Sequence, residues 1–76
     1  MKLLEIIWTD ACGGDGWIEQ ADLKKKELSI IVTVGFLVRE TDKSITLTMC
    51  DDKDHEMYGA YMVIPKINIK KKRILK

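Results

Sequence analysis

The sequence predicts a small, mainly β (α+β) domain: an antiparallel sheet of five strands, with one short helix after the first strand. Segments rich in isoleucine, valine and threonine recur along the chain, and this is the composition of strands. Polar turns separate most of these segments, as antiparallel hairpins require. Only one segment has a helical pattern, so the chain lacks the crossover helices that a parallel sheet needs.

Length and composition are those of a single domain covering residues 1–76. The chain is 46% hydrophobic and 33% charged, with a formal net charge of +1. A chain of this size buries only about 60% of the surface that its unfolded form exposes, so self-association would help to stabilise it. No apolar run is long enough to span a bilayer, and the N-terminus has no secretory signal pattern. We therefore expect a cytoplasmic protein with free thiols at Cys12 and Cys50 and no membrane partner.

The five strands are predicted from their β-branched and aromatic residues, at positions 2–8, 29–40, 44–50, 58–64 and 69–75. Gly35 lies in the middle of the longest strand, SIIVTVGFLVRE. A glycine inside a strand marks a bulge or a sharp bend, where one strand turns a barrel corner and serves two sheets. Pro65 ends the fourth strand, and the PKIN segment predicts one 3₁₀ turn. A bent second strand among short hairpins predicts a small, partly open barrel of the SH3-like or Sm-like kind.

The helix is predicted between Trp17 and Leu28, where helix formers replace β-branched residues. One side of this helix carries the apolar residues Trp17 or Ile18, Ala21 and Leu28. Asp15 or Gly16 is the predicted N-cap. Acidic residues lie near the start of the helix and lysines near its end, which is the order that the helix dipole favours. The segment thus predicts a short helix with one apolar face.

Several segments resemble a group of small phage and prophage proteins. They are the opening W-x-D…GW, the stretch VGFLVRETDKSITL, then IPKINI and a final leucine, and together they span most of the chain. The resemblance implies a small SH3-like or Sm-like barrel and carries no accepted activity. The glycine-containing strand before an acidic turn is also similar to Sm proteins. However, the Sm nucleotide-binding signature, an Asn after that turn and a later Arg-Gly, is missing, which counts against base recognition of the Sm type.

No enzyme motif is complete. The glycine-rich loop TDACGGDGW lacks the Gly-Lys-Ser/Thr ending of a phosphate-binding loop, and nothing in the spacing pairs Cys12 with His55. Residues 51–56 offer metal-ligand types without the spacing of a calcium loop. We therefore expect no catalytic residue, metal or cofactor. Two interpretations of the glycine-rich loop stay open: a structural joint, or a ligand loop in which Asp10 and Asp15 accept hydrogen bonds.

The charge distribution along the chain is uneven. No acidic residue follows Glu56, whereas the last eleven residues contain six cations, Lys66, Lys70, Lys71, Lys72, Arg73 and Lys76. This basic end is either a solvated edge strand that lysines protect from pairing, or a surface for an anionic partner.

These features favour a non-enzymatic binding protein that acts as a homo-oligomer. Together with the resemblance to phage proteins, they suggest interference with a host process such as antiviral defence, in one version by sequestering a small anionic signal such as a cyclic nucleotide. The candidate ligand-binding residues are Trp17 and Tyr61 for stacking, Arg39, Lys66, Lys70, Lys72 and Arg73 for phosphates, and Asp10 and Asp15. The alternatives are an Sm-like or SH3-like nucleic-acid-binding module, which the near-zero net charge disfavours, and an adaptor that binds a host protein.

Overall fold

The computed structural model describes all 76 residues, and the fold is mainly β. Its strands are β1 (Leu3–Asp10), β2 (Ser29–Glu40), β3 (Ser44–Asp52), β4 (Met57–Pro65) and β5 (Ile69–Ile74). They form one antiparallel sheet in the order β4-β3-β2-β1-β5. The helical elements are α1 (Gln20–Leu23) and a 3₁₀ turn (Lys66–Asn68). The predicted fold class, the five antiparallel strands and the 3₁₀ turn after Pro65 are confirmed.

β2 is shared between two hairpins. It pairs with β1 from Ser29 to Phe36 and with β3 from Phe36 to Glu40. The sequence predicted a strand that serves two sheets, whereas all five strands belong to one sheet. The predicted bulge at Gly35 is misplaced, since the register shift lies three residues later, at Val38. Gly35 is needed for a different reason, because a Cβ there would lie 2.9 Å from the carbonyl oxygen of Thr48. Only glycine allows the two hairpins to approach this closely.

The core lies where these hairpins meet. Its buried hydrophobic residues are Leu4, Ile6 and Trp8 of β1, Ile45 and Leu47 of β3, and Ile64 of β4. The indole N–H of Trp8 donates to the hydroxyl of Thr33 at 3.0 Å, which satisfies the only polar atom of that side chain. The Thr48 hydroxyl, also fully buried, donates to the carbonyl of Gly59 at 2.8 Å.

Contacts at the end of β2 show that the sheet is curled. The Glu40 carboxylate accepts hydrogen bonds from Lys66 in the 3₁₀ turn at 2.7 Å and lies 3.7 Å from the ammonium of Lys72 in β5. The Asn68 side chain donates to the carbonyl of Thr9 at 2.9 Å and joins the same turn to β1. β4 and β5 nevertheless remain the two edges of the sheet, and closure into the predicted SH3-like or Sm-like barrel is not shown.

Residues 11–28, which we call the arm, connect β1 to β2 without joining the core. The predicted helix is wrong in extent, because α1 has four residues and its N-cap is Glu19 rather than Asp15 or Gly16. None of the arm residues is buried. The apolar spacing predicted a packed helix face, but no residue of α1 is buried in the structure. No helix of the fold has the length and apolar character needed to cross a bilayer.

Candidate functional site

The chain exposes more surface than its mass accounts for. Its accessible surface is 6377 Å², whereas a folded monomer of 8.7 kDa exposes about 4,700 Å². The radius of gyration is 15.7 Å, against about 11 Å for a compact domain of this length. The surface excess of about 1,600 Å² lies within the roughly 1,000–2,500 Å² that each subunit of an obligate homodimer buries.

Much of the exposed surface is apolar and falls into three regions. These regions hold eleven of the eighteen exposed large hydrophobic residues: Trp17, Ile18, Leu23 and Leu28 in the arm, Ile30, Val32 and Val34 on β2, and Tyr58, Tyr61, Met62 and Val63 on β4. Sequence reasoning missed the β2 region. A signal was present, because no charged residue occurs in the eleven positions from Leu28 to Val38. Ile30, Val32 and Val34 alternate along one strand and so share one face, and exposed apolar patches of this kind mark interaction surfaces.

The arm lines a half-open cavity of about 360 Å³ beside Trp17. Three glycines, Cys12 and Leu23 contribute to its lining, and Lys26 supplies its one cation. The Cys12 thiol donates to the carbonyl of Glu27 at 3.1 Å across the base of the arm. The volume is at the lower end of the range for small-molecule sites. The cavity therefore has room for a planar group.

The two candidate aspartates lie at the start of the same loop. Asp10 ends β1, and its carboxylate accepts a hydrogen bond from the backbone N–H of Ala11 at 2.8 Å. Asp15 is exposed and does not line the cavity. One carboxylate thus stabilises the turn, and the other faces solvent beside it.

Three of the five candidate phosphate ligands already contact carboxylates of the same chain. Lys66 and Lys72 share Glu40, and the Arg73 guanidinium lies 3.1 Å from the carboxylate of Glu5. The hydrogen bond from Lys66, together with the positive charges of both lysines, lowers the pKa of Glu40 below its ordinary value. These carboxylates partly neutralise the basic end.

Arg39 and Tyr61 lie on one open face of the sheet. Arg39 is opposite Thr46, and Thr46 is opposite Val63, two positions from Tyr61 along β4. Directly opposite residues, and residues two apart in a strand, project to the same face. Arg39 forms no ion pair, and Tyr61 is 72% exposed. A guanidinium and an aromatic ring are therefore both available on this face.

A single chain does not bring all the candidate residues together. Lys66 and Lys72 are adjacent through Glu40, whereas Lys70 has no ion pair. Trp17 lies in the arm, which leaves β2 at the end opposite to Arg39. The cavity beside Trp17 is not lined by Arg39.

The remaining chemically active side chains lie apart. The His55 ring is 3.0 Å from the Asp52 carboxylate in the exposed β3–β4 turn. Both cysteines are free and exposed, and no group of three or more histidine, cysteine or acidic side chains is arranged to hold a metal ion. No family model, curated protein or solved structure matches this chain. The resemblance to small phage proteins therefore stays a prediction.

Proposed function

We propose that this protein is a non-enzymatic binding protein that acts as a homo-oligomer and captures a small anionic ligand, such as a cyclic nucleotide. In line with the resemblance to small phage proteins, the proposed role of this capture is to withhold a signal from a host defence process. The observation that carries the proposal is the excess of about 1,600 Å² of accessible surface over a compact monomer.

Self-association follows from the balance between the core and the exposed apolar surface. Six hydrophobic residues form the core, and eighteen large hydrophobic residues are exposed. Burying such surface between copies of the chain adds the hydrophobic stabilisation that a small core cannot supply alone. Stability then depends on protein concentration, as in obligate oligomers.

An anionic, planar ligand fits the residues that the chain leaves free. Arg39 has no carboxylate partner to compete with a phosphate, and Tyr61 on the same face offers a ring for stacking. The arm contributes Trp17 and Lys26 beside a cavity of about 360 Å³. In the proposed oligomer, the arm of one subunit supplies Trp17 to the Arg39–Tyr61 face of another.

The ligand proposal is tested by a thermal-shift screen with cyclic di- and trinucleotides. A ligand at 100 times its Kd stabilises a protein by about 2.7 kcal/mol, which raises the Tm of a domain of this size by about 10 °C or more. Arg39→Gln should abolish the shift. Lys53→Gln, which also removes an exposed cation without an ion pair, should leave it unchanged. The absence of a shift with every nucleotide would rule out capture of this ligand class.

A second candidate function, an adaptor that binds a host protein, is favoured by β4. This edge strand has no charged residue from Met57 to Pro65, and such edges accept an additional strand from a partner. A host protein that the wild type retains and Val63→Lys does not would support the adaptor.

The nucleic-acid alternative is disfavoured by the paired cations, and gel shifts at low salt that show no complex would dispose of it.

A further inference from the structure

β2 lies between β1 and β3 in the sheet, but the first part of the strand has a neighbouring strand on one side only. From Ser29 to Gly35 it pairs only with β1, because pairing with β3 begins at Phe36. We call residues 29–35 the open β2 edge. Its backbone is unpaired on the side that faces away from β1.

The hydrogen-bond register shows which residues direct their backbone groups to this open side. The N–H of Leu37 donates to the carbonyl of Lys2 at 2.8 Å, which makes these two residues a hydrogen-bonded pair of the β1–β2 ladder. Hydrogen-bonded pairs recur at every second residue in an antiparallel ladder. The alternate residues Ile30, Val32 and Val34 therefore point their N–H and C=O groups away from β1.

The side chains of the same three residues are also exposed, at 67% for Ile30, 59% for Val32 and 40% for Val34. All three are β-branched, and no charge or proline protects the segment. Natural proteins place charged residues or prolines on exposed edge strands, where they prevent pairing with another chain. β5 has four consecutive cations that protect it in this way. The open β2 edge has none of these protections.

We propose that the open β2 edges of two copies pair antiparallel about a two-fold axis at Val32. This inference rests on the self-association in the proposed function. Val32 then faces Val32 of the partner subunit, and Ile30 faces Val34 of the partner subunit. Each pair places β-branched apolar side chains on one face and exchanges backbone hydrogen bonds, which is the arrangement that stabilises antiparallel sheets.

A second copy is the occupant that these features favour. A two-fold interface brings a segment against itself, so it needs a segment that does not repel its own copy. The uncharged open β2 edge meets this condition, whereas β5, with its four cations, does not. The surface excess of the whole chain, about 1,600 Å² with the unpacked arm included, is also of the size that one subunit of a stable dimer buries.

The pairing also completes the proposed ligand site. In one chain the arm leaves β2 at Ser29, far along the strand from Arg39. Antiparallel pairing of two β2 strands places the arm of each subunit toward the Arg39 end of the partner's strand. The arm that carries Trp17 thus meets the partner subunit where its β2 and β3 join, next to the half of β2 that carries Arg39.

Charge variants at the axis test the proposal, with mass measured by light scattering after gel filtration. Val32→Lys and Val32→Glu each place like charges face to face, so each should weaken self-association at least tenfold. An equimolar mixture of the two should recover the dimer, because opposite charges then meet. Val63→Lys is the matched control, since it introduces the same charge at a residue of similar exposure on β4. It should stay associated, and circular dichroism of each variant distinguishes loss of association from loss of folding, while recovery of the dimer in the mixture requires that both charge variants can fold.

A cross-link tests the register independently. In a Cys12→Ser, Cys50→Ser background, Val32→Cys should give a disulfide-linked dimer on mild oxidation, because paired Cα atoms lie about 5.5 Å apart. Ile67→Cys, at a highly exposed residue outside the sheet, should not cross-link.

The outcomes separate this inference from the proposed function. If the wild type associates but Val32→Lys does so equally well, the open β2 edge is not the interface, and the homo-oligomer stands. Loss of association in Val63→Lys instead would assign the interface to β4 and overturn the proposal. A wild type that stays monomeric would overturn both the inference and the self-association on which it rests.

Discussion

The two halves of β2 have similar apolar composition and different surroundings. The exposed fraction on the outer face falls from 67% at Ile30 to 59% at Val32 and 40% at Val34, and Phe36 is half-buried where β3 joins. Composition thus predicts that a segment is a strand, but the flanking strands decide how much of it is covered. The uncovered half, Ser29–Gly35, is where we place the contact between copies.

The largest expected effect is in the core, on the face of β1 and β2 that is covered along both halves. Ile6→Ala removes a fully buried core side chain and should lower the free energy of unfolding by about 2–5 kcal/mol. Ile67→Ala, at a residue that is 93% exposed, should change it by less than about 0.5 kcal/mol. Urea denaturation of the two variants measures the contrast. Equal effects would contradict the assignment of the core.

The second largest loss of unfolding free energy is expected where the two halves of β2 meet. Gly35→Ala places a Cβ 2.9 Å from the Thr48 carbonyl oxygen, which is backbone and cannot move without shifting β3. We expect a loss of about 1–3 kcal/mol in unfolding free energy. Gly59→Ala is the control, because its Cβ would meet only the Cβ of Cys50 at 3.4 Å. A stable Gly35→Ala variant would show that the hairpins do not require this close approach.

A third effect concerns the buried hydroxyl beside that junction. Thr48→Val removes the donor to the Gly59 carbonyl and should cost about 1–2 kcal/mol in thermal or urea unfolding. Thr46→Val, two residues earlier on the same strand, removes a hydroxyl with no hydrogen bond in the structure and should be close to neutral. If Thr48→Val were as stable as Thr46→Val, the hydrogen bond would contribute little.

The smallest effect is at the exposed ion pairs of Glu40. Because its pKa is lower in the folded than in the unfolded chain, the interaction stabilises the fold above the ordinary carboxyl pKa of 4.5 and is lost as the pH falls through the lowered value. Glu40→Gln should therefore be slightly less stable than the wild type near pH 7, and the difference should vanish in acid. Glu27→Gln, which makes the same substitution at a residue without an ion pair, is the matched control for stability near pH 7.

The sequence was sufficient to predict the strands because β-branched residues and polar turns determine them locally. It was not sufficient for the arm, where Ile18, Ala21 and Leu28 have helical spacing but nothing to pack against. Nor does local composition show whether a strand has one neighbour or two. The open half of β2 therefore became visible only from the pairing of Phe36 with Thr48.

The sequence was sufficient to predict which residue types the candidate site contains, but not which of these residues lie together in the fold. Exposed Trp17, Arg39 and Tyr61 follow from their positions in loops and alternating strands. The pairing of Lys66 and Lys72 with Glu40 depends on the curl of the sheet, which joins residues more than 25 positions apart. Such pairing cannot be inferred from the run of lysines itself.

The most direct measurement is the mass of the wild-type protein in solution, by sedimentation equilibrium over a range of micromolar concentrations. The exposed apolar surface predicts a dimer or a larger symmetric assembly across that range. A single species with the mass of one chain at every concentration would contradict the account.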